Sequence, residues 1–188
     1  MKAVMIFGFL AAIANAGPSL PGEFQVCLRN GPIVEPYIRY AAQTIANRIF
    51  GAVGVKLVWS CGMTAANCPK PPIIELTNFT PENLESAVLA TTRAYERIHI
   101  TVYYRRIEQA SDSPLRPNLL GHVLAHEIMH IIEGTDQHSD RGVMKRRWDL
   151  HDYNQMGKKP LGFTDGDITL MHSGLARWLH CQDGPGSK

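Results

Sequence analysis

The chain has 188 residues, a formal net charge of +2 and a hydrophobic fraction of 45%. This length suits one domain that buries enough apolar surface to fold, and the composition excludes a disordered or collagen-like chain. The 19 Lys and Arg residues are nearly balanced by 17 Asp and Glu residues, so the chain lacks the basic excess that is typical of nucleic-acid-binding proteins.

The first 16 residues have the three-part pattern of a secretory signal peptide. Lys2 supplies the positive charge, residues 3–13 are apolar, and residues 14–16 (Ala-Asn-Ala) form a small-residue cleavage site. We therefore predict a signal peptide at 1–16, a mature domain at 17–188, and a secreted or periplasmic location. The first predicted strand follows so closely that we expect no N-terminal pro-domain and no further N-terminal cleavage.

Four cysteines, Cys27, Cys61, Cys68 and Cys181, remain in the predicted mature chain. An even number of cysteines in an exported protein predicts disulfides. Cys61 and Cys68 flank a short loop, so we predict one local bridge between them. Cys27 and Cys181 would then join the first strand to the C-terminal end. No C-x-x-C pair is present, which disfavours a zinc site built from cysteines.

Four stretches have the alternating or β-branched pattern of strands, and three have the apolar period of helices. The strands are 23–30, 55–60, 73–76 and 97–107, and the helices are 35–50, 118–133 and 164–179. Thr80 followed by Pro81 also looks like the start of a helix. The order of these elements predicts one α+β domain.

The helix at 118–133 carries the motif H-E-x-x-H, from His126 to His130. Residues four apart on a helix lie about 6 Å from each other, so both imidazoles can reach one zinc ion at about 2.0 to 2.1 Å. Glu127 projects beside them, where it can accept a proton from water that the zinc ion acidifies. The motif therefore predicts one catalytic Zn²⁺, with His126 and His130 as ligands and Glu127 as the general base.

A catalytic zinc ion needs a third protein ligand. No Glu follows Glu133, which excludes the downstream Glu ligand of thermolysin-like enzymes. Gly134 can adopt the left-handed conformation that ends the helix and turns the chain back toward the metal. His138 follows four residues later, and we predict it as the third ligand. His122 is expected to support the site or the core without binding the metal.

The run HEIMHIIEGTDQHSDRGVM resembles the signature of the metzincin metallopeptidases, H-E-x-x-H-x-x-G-x-x-H followed by a Met-turn. Relative to that signature the glycine comes one residue late and the last histidine two residues late. The matched positions are His126, Glu127, His130, Gly134, His138 and Met144. With a Trp after the methionine, the run is also similar to a group of secreted bacterial proteins.

The resemblance implies a single metzincin-like zinc-peptidase domain with a mixed sheet, an active-site helix, a Met-turn and a C-terminal helix. It places the Met144 side chain beneath the metal. Asp136 stands where metzincins have their third ligand, and some small relatives use Asp there, so Asp136 is the alternative to His138. We favour His138 because imidazole is the commonest neutral zinc ligand and the glycine has shifted with it.

We therefore expect a secreted zinc-dependent endopeptidase whose peptide or protein substrate lies along an edge strand at 98–104. We expect no nucleic acid, no membrane contact after removal of the signal peptide, and a monomer. Two alternatives stay open, a non-catalytic zinc-binding or interaction protein and a zinc amidase acting on non-protein amides. The retained Glu127 disfavours the first alternative, because a purely structural metal site needs no general base.

Two further groups of residues have weaker assignments. A tyrosine hydroxyl could stabilise the oxyanion of the reaction, and the candidates are Tyr103, Tyr104 and Tyr153. A basic cluster follows the methionine and is predicted to be a solvated face: Lys145, Arg146, Arg147, Lys158 and Lys159.

Overall fold

The computed structural model describes residues 22–29, 33–62, 70–94, 96 and 98–179. The predicted signal peptide, Cys68 and Cys181 lie outside these residues. Within the described ranges, none of the helices combines the length and the hydropathy that a membrane crossing requires.

Five strands form one mixed sheet, as expected for the predicted α+β class. They are β1 (Gly22–Leu28), β2 (Val55–Trp59), β3 (Ile73–Thr77), β4 (Ala90–Thr92) and β5 (His99–Tyr103). Their order across the sheet is β2-β1-β3-β5-β4. Strands β1, β2, β3 and β5 run parallel to one another. Strand β4 pairs antiparallel with β5.

Alternation along the strands separates a core face of the sheet from a polar face. Val26, Ile74 and Ile100 are fully buried and point toward the helices. On the other face, Glu23 lies directly opposite Lys56 in the neighbouring strand, and their side chains form an exposed ion pair of 2.6 Å. The helices therefore cover one side of the sheet, which is the side on which the site is built.

The described part of the chain forms five helices. They are α1 (Pro36–Gly51), α2 (Tyr104–Ala110), α3 (Arg116–Glu133), α4 (Leu150–Met156) and α5 (Asp165–Leu179). Helix α3 occupies the centre, with α1, α5 and the strands β4 and β5 packed around it. Each of its residues from Leu119 to Glu133 is buried, so side chains on this helix are held by contacts on all sides.

The helix predicted to start at Thr80 does not form. The guanidinium of Arg106 donates hydrogen bonds to the backbone carbonyls of Leu84, Glu85 and Val88. A helix would use these carbonyls for its own backbone bonds, whereas here a distant side chain holds them in turns. The segment leads instead into strand β4.

The strand predicted at 97–107 ends at Tyr103 and continues as helix α2. Tyr104 and Ile107, one helical turn apart, are both buried. This spacing of buried residues favours a helix over a strand for the segment after Tyr103. Strand β5 lies between β3 and β4. The prediction that residues 98–104 form an edge strand is therefore wrong, and β4 is the edge strand on this side of the sheet.

The predicted disulfide pairing is also wrong. The structure joins Cys27 to Cys61 across a sequence separation of 34 residues, which excludes both the Cys61–Cys68 and the Cys27–Cys181 bridge. The reason is the parallel pairing of β1 with β2, which places Val26 opposite Trp59. Cys27 and Cys61 thus come together at the carboxyl ends of two neighbouring strands.

Candidate metal centre and cleft

Helix α3 ends at Gly134 in the way that its sequence predicts. Gly134 adopts the left-handed conformation with φ 72°, and its backbone N–H donates to the carbonyl of His130 at 2.8 Å. Glycine occupies this conformation without steric cost, which makes it the usual residue after a helix end. The chain reverses here, and the following loop returns His138 to the side of α3 that carries the H-E-x-x-H motif.

The three predicted histidines converge on one point. Each offers a side-chain atom that lies within 4.8 Å of the corresponding atoms of the other two, so His126, His130 and His138 could together hold a metal ion. The ring centre of His138 lies 5.2 Å from that of His126 and 4.9 Å from that of His130. Asp136 is exposed and does not belong to this group among the described residues.

Hydrogen bonds to the backbone determine which nitrogen of the two buried imidazoles carries the proton. Nδ1 of His126 lies 2.8 Å from the carbonyl oxygen of Val143, and Nδ1 of His130 lies 3.0 Å from that of Thr135. Since a carbonyl only accepts, both Nδ1 atoms must donate. Both Nε2 atoms of the neutral rings then carry lone pairs, and they face each other at 3.0 Å.

Two lone pairs at this distance repel unless an electrophile lies between them. A proton is disfavoured, because burial lowers the pKa of His126, and burial together with the charges of His126 and His138 lowers the pKa of His130 to about 3. A divalent cation that prefers imidazole satisfies both Nε2 atoms, and His138 supplies a third nitrogen. The donor set therefore fits zinc, with both Nδ1–H groups fixed by backbone carbonyls.

The predicted Met-turn is a tight turn joined to the metal centre. Gly142 has φ 79°, and a Cβ atom at this position would lie 2.4 Å from the carbonyl oxygen of Gly162, so only glycine fits. Val143 follows and presents its carbonyl to His126. Met144 is buried, and its own carbonyl accepts a hydrogen bond from the N–H of Ser139 at 2.9 Å, which closes the loop that carries His138.

A buried carboxylate anchors this loop to the C-terminal helix. Asp167, near the start of α5, accepts a hydrogen bond of 2.5 Å from the hydroxyl of Ser139, the residue after His138. It also accepts from the backbone N–H of Thr164 at 2.7 Å, and the Thr164 hydroxyl accepts from the backbone N–H of Asp167. No local sequence pattern indicates this connection, because the two residues are 28 positions apart.

Glu127 lies beside the histidines in a largely water-excluded position. Burial raises the pKa of its carboxyl to about 7, and a hydrogen-bonding contribution from Thr92 opposes the rise. The Thr92 hydroxyl is buried, and among the described residues no group forms a hydrogen bond of normal geometry with it. Thr92 belongs to strand β4, which sequence patterns did not predict, so its place beside Glu127 was not foreseeable.

The histidines and Glu127 lie on the floor of a cleft of about 690 Å³. One wall is the segment 83–92, including the edge strand β4, and the other is the segment 145–148 after the Met-turn. Of the three candidate tyrosines, Tyr153 lines this cleft. Tyr103 instead pairs with the hydroxyl of Thr91 at 3.0 Å, and Tyr104 is buried in the core.

His122 is a core residue, as expected. Its Nδ1 donates to the carbonyl of Asn118 at 2.6 Å, and its Nε2 accepts from the backbone N–H of Leu161 at 2.9 Å. Both ring nitrogens are therefore used by the protein. Burial lowers its pKa to about 4, which keeps the ring neutral and preserves the bond from Leu161.

We expect His122 to make folding stability fall in acid. The unfolded ring takes up a proton below pH ~6.5, whereas the folded ring resists until about pH 4. Its contribution is thus complete above pH ~6.5 and is lost as the pH falls toward 4, a change of about 3 kcal/mol. Urea unfolding of the metal-free protein between pH 4 and 7 should show a smaller loss in His122→Gln than in the wild type, because His126 and His130, whose pKa values burial also lowers, account for the loss that remains. The exposed His151→Gln variant should keep the wild-type slope, and an unchanged slope in His122→Gln would refute the assignment.

Comparison with known proteins adds information on the fold. No family model matches the chain, and no curated protein matches it. Among solved structures, archaemetzincin from Methanopyrus kandleri is similar over 85% of this chain and 99% of that chain, with a TM-score of 0.53 and 16% sequence identity. The chain therefore has an archaemetzincin-like fold, a single mixed α+β domain, in agreement with the fold expected from the motif at 126–144.

Proposed function

We propose that this protein is an exported zinc-dependent endopeptidase. The observation that carries the proposal is the pair of Nε2 lone pairs of His126 and His130, which face each other with His138 alongside and Glu127 next to them. Such a set of residues holds a cation, and an adjacent buried carboxylate adds a proton acceptor. The N-terminal signal pattern and the disulfide between Cys27 and Cys61 support export from the cytoplasm.

In the proposed reaction the metal and the side chain of Glu127 have different roles. A bound zinc ion supplies Lewis-acid chemistry, since it polarises a carbonyl and acidifies water. Glu127 performs the proton transfers. Its carboxylate accepts a proton from the attacking water and returns it to the leaving nitrogen. Burial raises the pKa of this carboxyl in the metal-free protein, and a nearby cation would favour its charged form, which is the form that accepts the proton.

Strand β4 is the part of the cleft suited to hold an extended peptide. It lies at the edge of the sheet, so within the described ranges its outer backbone groups are not used by another strand, and Ala90, Thr91 and Thr92 all line the cleft. A substrate segment that adds to this edge gains backbone hydrogen bonds independent of sequence. A peptide bound in this way would bring its scissile bond near Glu127, and β4 takes the role that the sequence predicted for an edge at 98–104.

A digest of a mixed protein substrate tests this function. The purified mature protein should release peptides, an excess of a zinc chelator should abolish the release, and added zinc should restore it. Mass spectrometry of the products should show internal cleavage sites, as expected for an endopeptidase. Cleavage that persists in the chelator would contradict the proposal, and hydrolysis of small non-protein amides without protein cleavage would favour the amidase alternative.

We expect the link from Ser139 to Asp167 to tune the affinity for zinc. Ser139→Ala removes the hydroxyl that ties the His138 loop to α5, and the loss of such a supporting hydrogen bond should weaken zinc binding about ten-fold. Thr164→Val is the matched control, since it disturbs the start of the same helix but leaves the bond between Ser139 and Asp167. Competition with a chromogenic chelator measures both affinities. Equal weakening in both variants would show a general loss of stability instead.

A further inference from the structure

Four cationic side chains line the cleft around the metal centre. They are Arg106, Lys145, Arg146 and Arg147. The sequence pattern predicted that residues 145–147 form part of a solvated face with Lys158 and Lys159. The structure confirms exposure for Arg146, Arg147, Lys158 and Lys159, and it also places residues 145–147 among those that line the cleft.

Three of these four cations are already engaged. Arg106 donates to the carbonyls of the segment that leads into β4. Lys145 contacts the carboxylates of Asp149 and Asp152, each at 2.6 Å. Arg147 forms an ion pair with Glu85 on the opposite wall. All three side chains have structural roles, and carboxylates compensate the charges of Lys145 and Arg147.

Arg146 differs from its neighbours. It is exposed, and among the described residues it makes no ion pair and no hydrogen bond. It lines the same cleft as His138 and Asp136. Asp136, the acidic residue on this rim, does not pair with it within 4 Å in the described part of the chain.

From this placement we propose that Arg146 forms an anion subsite of the cleft, beside the metal centre, that selects substrates with a carboxylate close to the bond to be cleaved. A guanidinium presents a planar fork of donors that matches the two oxygens of a carboxylate. The inference rests on the proposed peptidase function for its consequence in cleavage. The binding preference itself depends only on Arg146 and the cleft.

A set of fluorescein-labelled alanine-based peptides tests the subsite. Each pair of peptides has one cleavable bond and differs at a single position, which is Glu in one peptide and Gln in the other. The varied position is one of the two residues before the bond or one of the two residues after it. Binding is measured by fluorescence polarisation with the zinc-loaded Glu127→Gln variant, and cleavage with the protein that retains Glu127. At one position Glu should be preferred over Gln about five-fold in both measurements, the range expected of a partly exposed ion pair.

Arg146→Gln should abolish the preference for Glu, and Arg146→Glu should reverse it, so that the Gln peptide is preferred. Arg141→Gln is the matched control, because Arg141 is an exposed neighbour that does not line the cleft, and it should keep the preference. The preference should also shrink in 0.5 M salt, because the Debye length then falls to about 4 Å and dissolved ions screen the attraction between the two charges. Thermal midpoints and zinc content verify that each variant is folded and loaded.

The outcomes separate the two proposals. Cleavage with equal rates and equal affinities for Glu and Gln peptides at all positions overturns the subsite and leaves the peptidase intact. Preferential binding of Glu peptides that requires Arg146, without cleavage of any peptide, supports the subsite and contradicts the peptidase. A preference that survives in Arg146→Gln overturns the assignment to Arg146.

Discussion

Glu127→Gln should lower kcat for peptide hydrolysis by about 10²- to 10⁴-fold, the usual contribution of a general base. Glutamine keeps the size and the buried position of the side chain but cannot accept the proton of the attacking water. The bound zinc should remain, because the three ligands are imidazoles. Steady-state kinetics, together with the zinc content per chain, measure both effects on the same preparation.

Glu133→Gln is the matched control for this result. Glu133 is a second buried carboxyl on α3, and burial raises its pKa to about 7 as well, but it does not line the cleft. Its replacement should leave kcat near the wild-type value. If both variants lost turnover equally, or if Glu127→Gln remained active, the role of Glu127 as the base would be wrong.

Replacement of His126, His130 or His138 by Ala should release zinc, whereas Asp136→Ala should retain it. Zinc sites of four ligands bind with about 10 to 16 kcal/mol in total, so the loss of one ligand should weaken binding by roughly 10²- to 10³-fold. His138 is exposed, unlike the other two, and its replacement leaves the core intact. It is therefore the most informative of the three variants.

The comparison of His138→Ala with Asp136→Ala distinguishes the two candidate third ligands. Both residues lie in the same loop, and both changes create a short apolar side chain. Equilibrium dialysis against a zinc buffer, with thermal unfolding as a check on folding, gives the affinities. Full zinc binding by His138→Ala combined with zinc loss in Asp136→Ala would reverse the assignment.

The metal centre was predictable because its determinants are local. The spacing of His126 and His130 is one helical turn, and Gly134 both ends the helix and redirects the chain. The central strands and the helices α1, α3 and α5 were likewise indicated by their apolar periods, with ends shifted by a few residues. Helix α3 begins at Arg116, two residues before the predicted Asn118.

The features that the sequence did not reveal depend on contacts between distant residues. The segment after Thr80 forms turns and an edge strand because Arg106 binds its carbonyls. The disulfide between Cys27 and Cys61 depends on the pairing of β1 with β2. The spacing of the cysteines in the sequence does not show which strands are neighbours. Helix α4 did leave a local signal, since Asp149 and Asp152 form a reciprocal capping box at its start.

The most direct test of the zinc centre is a crystal structure of the mature protein with anomalous diffraction measured on both sides of the zinc absorption edge. We expect one zinc peak per chain, bound by Nε2 of His126, Nε2 of His130 and a ring nitrogen of His138 at about 2.0 to 2.1 Å. A peak ligated by Asp136 in place of His138 would contradict the ligand assignment. A fully zinc-equilibrated crystal without a peak among these histidines would contradict the metal centre itself.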